Sequence, residues 1–129
     1  MNIVSLTSYG KRLEVTTFRA VCTLLDQTTP ADKVILWLDK YLPPPMLRNL
    51  TGLEIRERVR DVGSYSKLIW ALQEFPNDTI ITADDDIYYR RDWLELLLQE
   101  HERQPDRIVC HLAREIGIKD DGTLKPYNE

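Results

Sequence analysis

Three consecutive carboxylates, Asp84, Asp85 and Asp86, follow the apolar run "TIITA" that begins at Thr79. Concentrating so much negative charge costs Coulomb energy unless water, a cation or a positive partner offsets it. Carboxylates at the end of a rigid strand are hard oxygen ligands suited to a divalent cation, magnesium or manganese, which a diphosphate would hold more firmly by completing its shell. The same residues could instead form a solvated turn or a negative cap on the next helix. Their place after a strand favours the metal, because a turn rarely needs three acids in succession.

Other polar residues have two readings each. Lys67 follows "GSYS" at the start of a helical segment, where a cation and free amides suit a phosphate or the ribose end of a nucleotide; alone it is an ordinary surface lysine. Asp39 could accept the N–H of uracil or a similar base, or cap the "YLPPPM" turn. Tyr9 and Tyr65 could stack on a base or pack at strand ends with a wet hydroxyl. His101, His111, Cys22 and Cys110 show no zinc-ligand spacing, and no Walker loop, GxGxxG fingerprint or GxSxG elbow occurs.

The elements that must position these groups alternate along the chain. "NIVSLT" reads as a strand and Leu13 to Gln27 as a helix, with Phe18, Val21, Leu24 and Leu25 at helical spacing. "KVILWL" is a continuous apolar run fit for a central strand, and "LPPPMLRNL" starts a short helix after its prolines. "LEIRERV" alternates like a strand with one wetter face, nearer an edge. Leu68, Ile69, Leu72 and Phe75 form a helical stripe, and "TIITA" is the fourth strand. Asp92, with Glu95 three residues on, can cap a helix buried through Trp93, Leu94, Leu97 and Leu98; "RIVCHL" reads as a fifth strand and "DDG" as a hairpin turn.

This alternation predicts a layered α/β domain with a mostly parallel central sheet flanked by helices. Ligands in such sheets bind outside the carboxyl ends of the strands. The loops at issue are "TSYGKR", Asp39, "DVGSYSK", "DDD" and "HLARE".

A chain of 129 residues suits one domain over 1–129. With 17 basic against 21 acidic residues the net charge of -4 gives no overall attraction to nucleic acid. Neither an export signal nor an apolar stretch of membrane-spanning length is visible, so a cytoplasmic setting is expected, with peripheral contact at the inner face of a membrane left open. Both cysteines lie in apolar runs and read as small core residues.

The ordered set "VSLTSYGKRL", "LLDQTTPADKVILWLD", "LPPPML", "GLEIRERVRDVGSYSKLIWALQEFP", "TIITADDDIYYRRDWLELL" and "RIVCHLAREI" resembles bacterial glycosyltransferases of the family 2 type with a Rossmann-like GT-A fold. The resemblance covers nearly the whole chain. It implies transfer of a hexose from a nucleotide-diphosphate sugar, a UDP-sugar first, to a saccharide or lipid-linked acceptor. A divalent cation, manganese or magnesium, would be held by the D-x-D-type motif. Carried over by position, Thr7 and Tyr9 lie at the nucleotide, Asp39 at the base, Lys67 near the base or ribose, Asp84 at the ribose, and Asp85 or Asp86 at the metal.

The proline often found shortly after the acids is Arg90 or Arg91 here. Family members usually continue about as long again, with the general base in that acceptor-binding part, so the chain is expected to be a donor-binding part whose catalytic residue is unknown. Sheet edges left bare would favour a homodimer. The alternative is a nucleotide-binding or interaction module without catalysis. Phosphatase-type and receiver-type acid motifs fit poorly, because they follow the first strand rather than the fourth.

Overall fold

The structure is a computed structural model and describes residues 1–57 and 59–126. The chain divides into two compact units, Met1–Leu96 and Leu97–Glu129.

The first unit holds a sheet of β1 (Asn2–Thr7), β2 (Lys33–Trp37), β3 (Leu53–Arg56) and β4 (Thr79–Thr82), in the order β3-β2-β1-β4. Every pairing is parallel, with Ser5 opposite Ile35 and Thr82, and Ile35 opposite Glu54. The two central strands are the two most buried. Val34 to Trp37 of β2 and Ile3 to Leu6 of β1 are buried on both faces, as a sheet covered on both sides requires. β3 takes the edge that its alternating sequence predicts. Its Glu54 and Arg56 join Lys33 and Glu74 in a chain of ion pairs along that edge, which makes it a poor template for another strand.

The helices are α1 (Arg12–Val15), α2 (Thr17–Leu25), α3 (Pro45–Arg48), α4 (Ser66–Glu74) and α5 (Trp93–Arg103). The helix expected from Leu13 to Gln27 is broken at Thr16 into α1 and α2. α3 starts at Pro45, where a missing amide proton does no harm. At the start of α5 the Leu94 amide donates to the Gln27 side chain at 2.9 Å, so a distant residue satisfies one of the helix's free donors.

Three expectations need correction. The stripe Leu68, Ile69 and Leu72 lies on the exposed side of α4; the buried side is Ser66 and Ala71, with Trp70 and Phe75 half-buried against Ile3, Ile35 and Trp37. The reason is proximity: Ser5 of β1 bonds directly to the Lys67 carbonyl, and where helix and sheet come so close the space between them suits small residues, Ser66 and Ala71, with the large rings of Trp70 and Phe75 at the side. Residues 107–112, expected as a fifth strand, form no ladder among the described residues, and Ile108 is fully exposed. An apolar run becomes a strand only where a neighbour supplies hydrogen bonds. Cys110 in that run is therefore exposed rather than core, and Cys22 is half-buried.

In the second unit the hairpin at "DDG" is present. Ile118 bridges Leu124 antiparallel, the Lys119 amide donates to Thr123 at 2.8 Å, and Gly122 holds φ +82° at the turn. Among the described residues no helix is long and apolar enough to cross a membrane.

Candidate functional site

The candidate site is a cleft of about 280 Å³ in the first unit, where the chain leaves the carboxyl ends of β1, β2 and β4 and enters α4. Thr7, Tyr9, Arg12, Asp39, Lys67, Asp84 and Asp85 line it, together with Ser8, Tyr41, Asp61, Ser64 and Ser66. Of the seven residues that the family resemblance carries to the site, six meet here, while Tyr65, the second tyrosine read as able to stack on a base, is not among the lining residues. Asp86 stands just outside.

The acid loop continues β4. The Ala83 amide donates to the Ser5 carbonyl at 2.9 Å, extending the β1–β4 ladder one step, and the chain then turns at Asp85 and Asp86. Ile81, Ala83 and Asp85 are buried, whereas Thr82, Asp84 and Asp86 are exposed. At the turn that follows the strand Asp85 goes inward, with a side chain only 6% exposed against 43% for Asp86.

Three contacts hold the loop from behind. The Tyr89 hydroxyl accepts the Asp84 amide at 2.6 Å, the Tyr89 amide donates to Thr23 Oγ1 at 3.0 Å, and buried Gln27 donates to the Arg90 carbonyl at 2.8 Å. Burial first, then the nearby charge of the three aspartates, pushes the Tyr89 phenol up to about 12 against an opposing backbone bond at Asp84. It stays a neutral hydrogen-bonding group. Its ring lies against Trp93, with centroids 4.4 Å apart.

Each acid has a cationic neighbour. Lys67, at the start of α4, bonds to Asp84. Arg12 Nη1 lies 2.9 Å from Asp85 Oδ1 and 3.3 Å from Asp86 Oδ2, and the guanidinium is raised above its ordinary value by the hydrogen bond and then the charge of Asp85. The other oxygen, Asp85 Oδ2, is buried and has no hydrogen-bond partner.

Around the rest of the cleft, Thr7 Oγ1 donates to the Trp37 carbonyl at 2.9 Å, so its side chain ties β1 to β2. Tyr9 is 57% exposed with its ring open to the cleft mouth, and Asp39 is half-buried. Asp61 Oδ1 accepts the Gly63 amide at 2.7 Å, closing the turn before α4. Gly10, at φ +54°, lets "TSYGKR" double back so that Arg12 faces the acids.

Sequence reasoning named the "TSYGKR" loop but not Arg12 within it, and missed Tyr89 and Asp61. The one available signal was charge: three adjacent acids need cations, and Lys11, Arg12, Lys40 and Lys67 all lie in or beside loops at the same sheet end, so the sequence does not single out Arg12.

Among the described residues no three His, Cys, Asp or Glu side chains come together as a ligand set. The loop offers one or two carboxylates with one unsatisfied oxygen. That matches a hard cation that takes few protein ligands and completes its shell from phosphate and water, and does not match a cation held by protein alone.

An all-parallel α/β unit with an acid-bearing polar cleft at the carboxyl ends of its strands is built like a Rossmann-type nucleotide-binding domain, and is consistent with the GT-A form of it. The model of the family described as Glycosyl transferase family 2 matches residues 6–128, and the chain belongs to that family. Family 2 enzymes in general use nucleotide-sugar donors and acceptors, which makes the chain glycosyltransferase-like in function. No curated protein matches the sequence.

Proposed function

We propose that the chain binds a nucleotide-diphosphate sugar, with a UDP-sugar as first candidate, and serves transfer of the sugar to a saccharide or lipid-linked acceptor with the nucleoside diphosphate as leaving group. The observation that carries this reading is Asp85 Oδ2, a buried carboxylate oxygen without a partner at the floor of a polar cleft. Leaving such an atom unpaired costs about 1–3 kcal/mol, so a ligand that satisfies it recovers that energy on binding.

Asp85 would hold manganese or magnesium, with Asp86 the nearest further carboxylate. The chemistry supplied by a bound divalent cation is Lewis-acid stabilisation of the departing nucleoside diphosphate. Asp84, kept beside Lys67, faces the ribose, and Lys67 lies at the base or ribose edge. Thr7 lines the wall toward the nucleotide, Tyr9 offers a face for stacking, and Asp39 accepts a base N–H.

Calorimetric titration with uridine diphosphate, with and without manganese, tests the reading. Binding is expected to require the metal, and Asp85→Asn, of equal size, is expected to weaken it at least about thirtyfold, near 2 kcal/mol. Metal-independent binding, equal affinity in the variant, or no binding of uridine, guanosine or thymidine diphosphate would overturn it.

A further inference from the structure

Arg12 is anchored at its backbone and partly exposed at its tip. The Thr17 hydroxyl donates to the Arg12 carbonyl at 2.8 Å, and the Ser8 hydroxyl sits 2.7 Å from Thr17 Oγ1, both residues being buried. Beyond that anchor the side chain is 42% exposed, and its guanidinium carbon lies 5.2 Å from the centre of the Tyr9 ring. The tip thus reaches both the acid pair and the open mouth of the cleft.

Two demands meet on this side chain. With no other ligand present, the guanidinium is the cation within bonding distance of both Asp85 and Asp86. A divalent cation on Asp85 would stand beside a fixed positive charge, and like charges a few ångströms apart in a partly buried site oppose each other. A diphosphate reverses that sign. The guanidinium fork matches phosphate oxygens as well as it matches carboxylate, and the exposed tip can leave one for the other without moving the backbone.

We propose that Arg12 is an exchangeable counter-ion: it holds Asp85 and Asp86 in the metal-free protein and moves to the diphosphate oxygens when a nucleoside diphosphate enters with its cation. This rests on the proposed donor site. Arg12 therefore works against the cation alone and in favour of the cation with its diphosphate, which couples the two ligands, and the coupling is reciprocal. A merely structural arginine would affect both in the same direction.

The experiment measures free manganese by its electron paramagnetic resonance signal, in titrations with and without uridine diphosphate, for the unmodified chain, Arg12→Gln and Arg12→Lys. Arg12→Gln is expected to bind manganese alone about tenfold more tightly and manganese with the diphosphate about tenfold more weakly. Arg12→Lys keeps the charge without the fork, so it should bind manganese alone like the unmodified chain and the pair more weakly. Loss of both affinities in Arg12→Gln, or no change in either, with normal binding by the unmodified chain, would overturn the exchange and leave the donor site standing. No metal-dependent binding by the unmodified chain would instead remove the donor site and this inference with it.

Discussion

Ser5 and Trp37 offer a test of a buried hydrogen bond that needs no ligand. Ser5 is fully buried in β1, where its hydroxyl accepts Trp37 Nε1–H at 2.8 Å and donates to the Lys67 carbonyl. Ser5→Ala strands the indole N–H among Ile3, Ile35 and Ala71 and frees the start of α4, so it should cost about 2–3 kcal/mol. Trp37→Phe removes the donor and leaves a gap in the same cluster, at about 2 kcal/mol. In the double variant no donor is stranded, and the loss should be smaller than the sum by about 1–2 kcal/mol. Urea unfolding followed by far-ultraviolet circular dichroism measures all three, and with a slope of about 1.5 kcal/mol per molar each single variant should unfold more than about 1 M earlier. Additivity within about 0.5 kcal/mol would refute the bond and the polar link it makes between sheet and helix.

Two further outcomes follow from the same geometry. Because Tyr89 holds its proton up to about 12 in the fold and to 10.0 ordinarily, the folded state binds the proton more tightly; the stability it carries is full below pH 10 and is lost as pH rises toward 12. Tyr89→Phe should flatten that part of the melting-temperature profile, and parallel slopes for both proteins would contradict the burial argument. Gly52 holds φ +90°, and a Cβ there would stand 3.1 Å from Leu25 Cδ2. Gly52→Ala should therefore lower stability by about 1–2 kcal/mol in a denaturant titration, and an unchanged midpoint would show that the turn relaxes freely.

The sheet was largely legible because β1, β2 and β4 are short apolar runs between turn signals, and the charged alternation of β3 marks it as an edge. The parallel topology follows from the helices between them. The inward face of α4 was not legible. Periodicity reports where the apolar residues lie, whereas the separation of helix and sheet decides that Ser66 and Ala71 go inside and Leu68, Ile69 and Leu72 stay outside. The apolar pattern of 107–112 misled for a related reason: pattern describes a side chain's preference and says nothing of a hydrogen-bonding partner. At the candidate site, the acids were visible as a cluster, but which of them turns inward depends on where the β1–β4 ladder ends. Arg12 escaped notice because its partner is 73 positions away.

That sequence separation has a consequence for the order in which the molecule comes into being. β1 pairs with β4 across the whole intervening chain, and the contacts that define the cleft, Arg12 with Asp85 and Ser5 with Lys67, span 73 and 62 positions. Contacts of such high order form late, since a long loop must close before any of them contributes. On a ribosome, β1 and β2 emerge and can pair while the acid loop has not yet been synthesised. During that interval β1 exposes an unpaired apolar edge to any nascent neighbour. The arrival of β4 covers this edge and completes the cleft in the same event, so the acid loop comes into place by the same step that protects β1 from a stray strand.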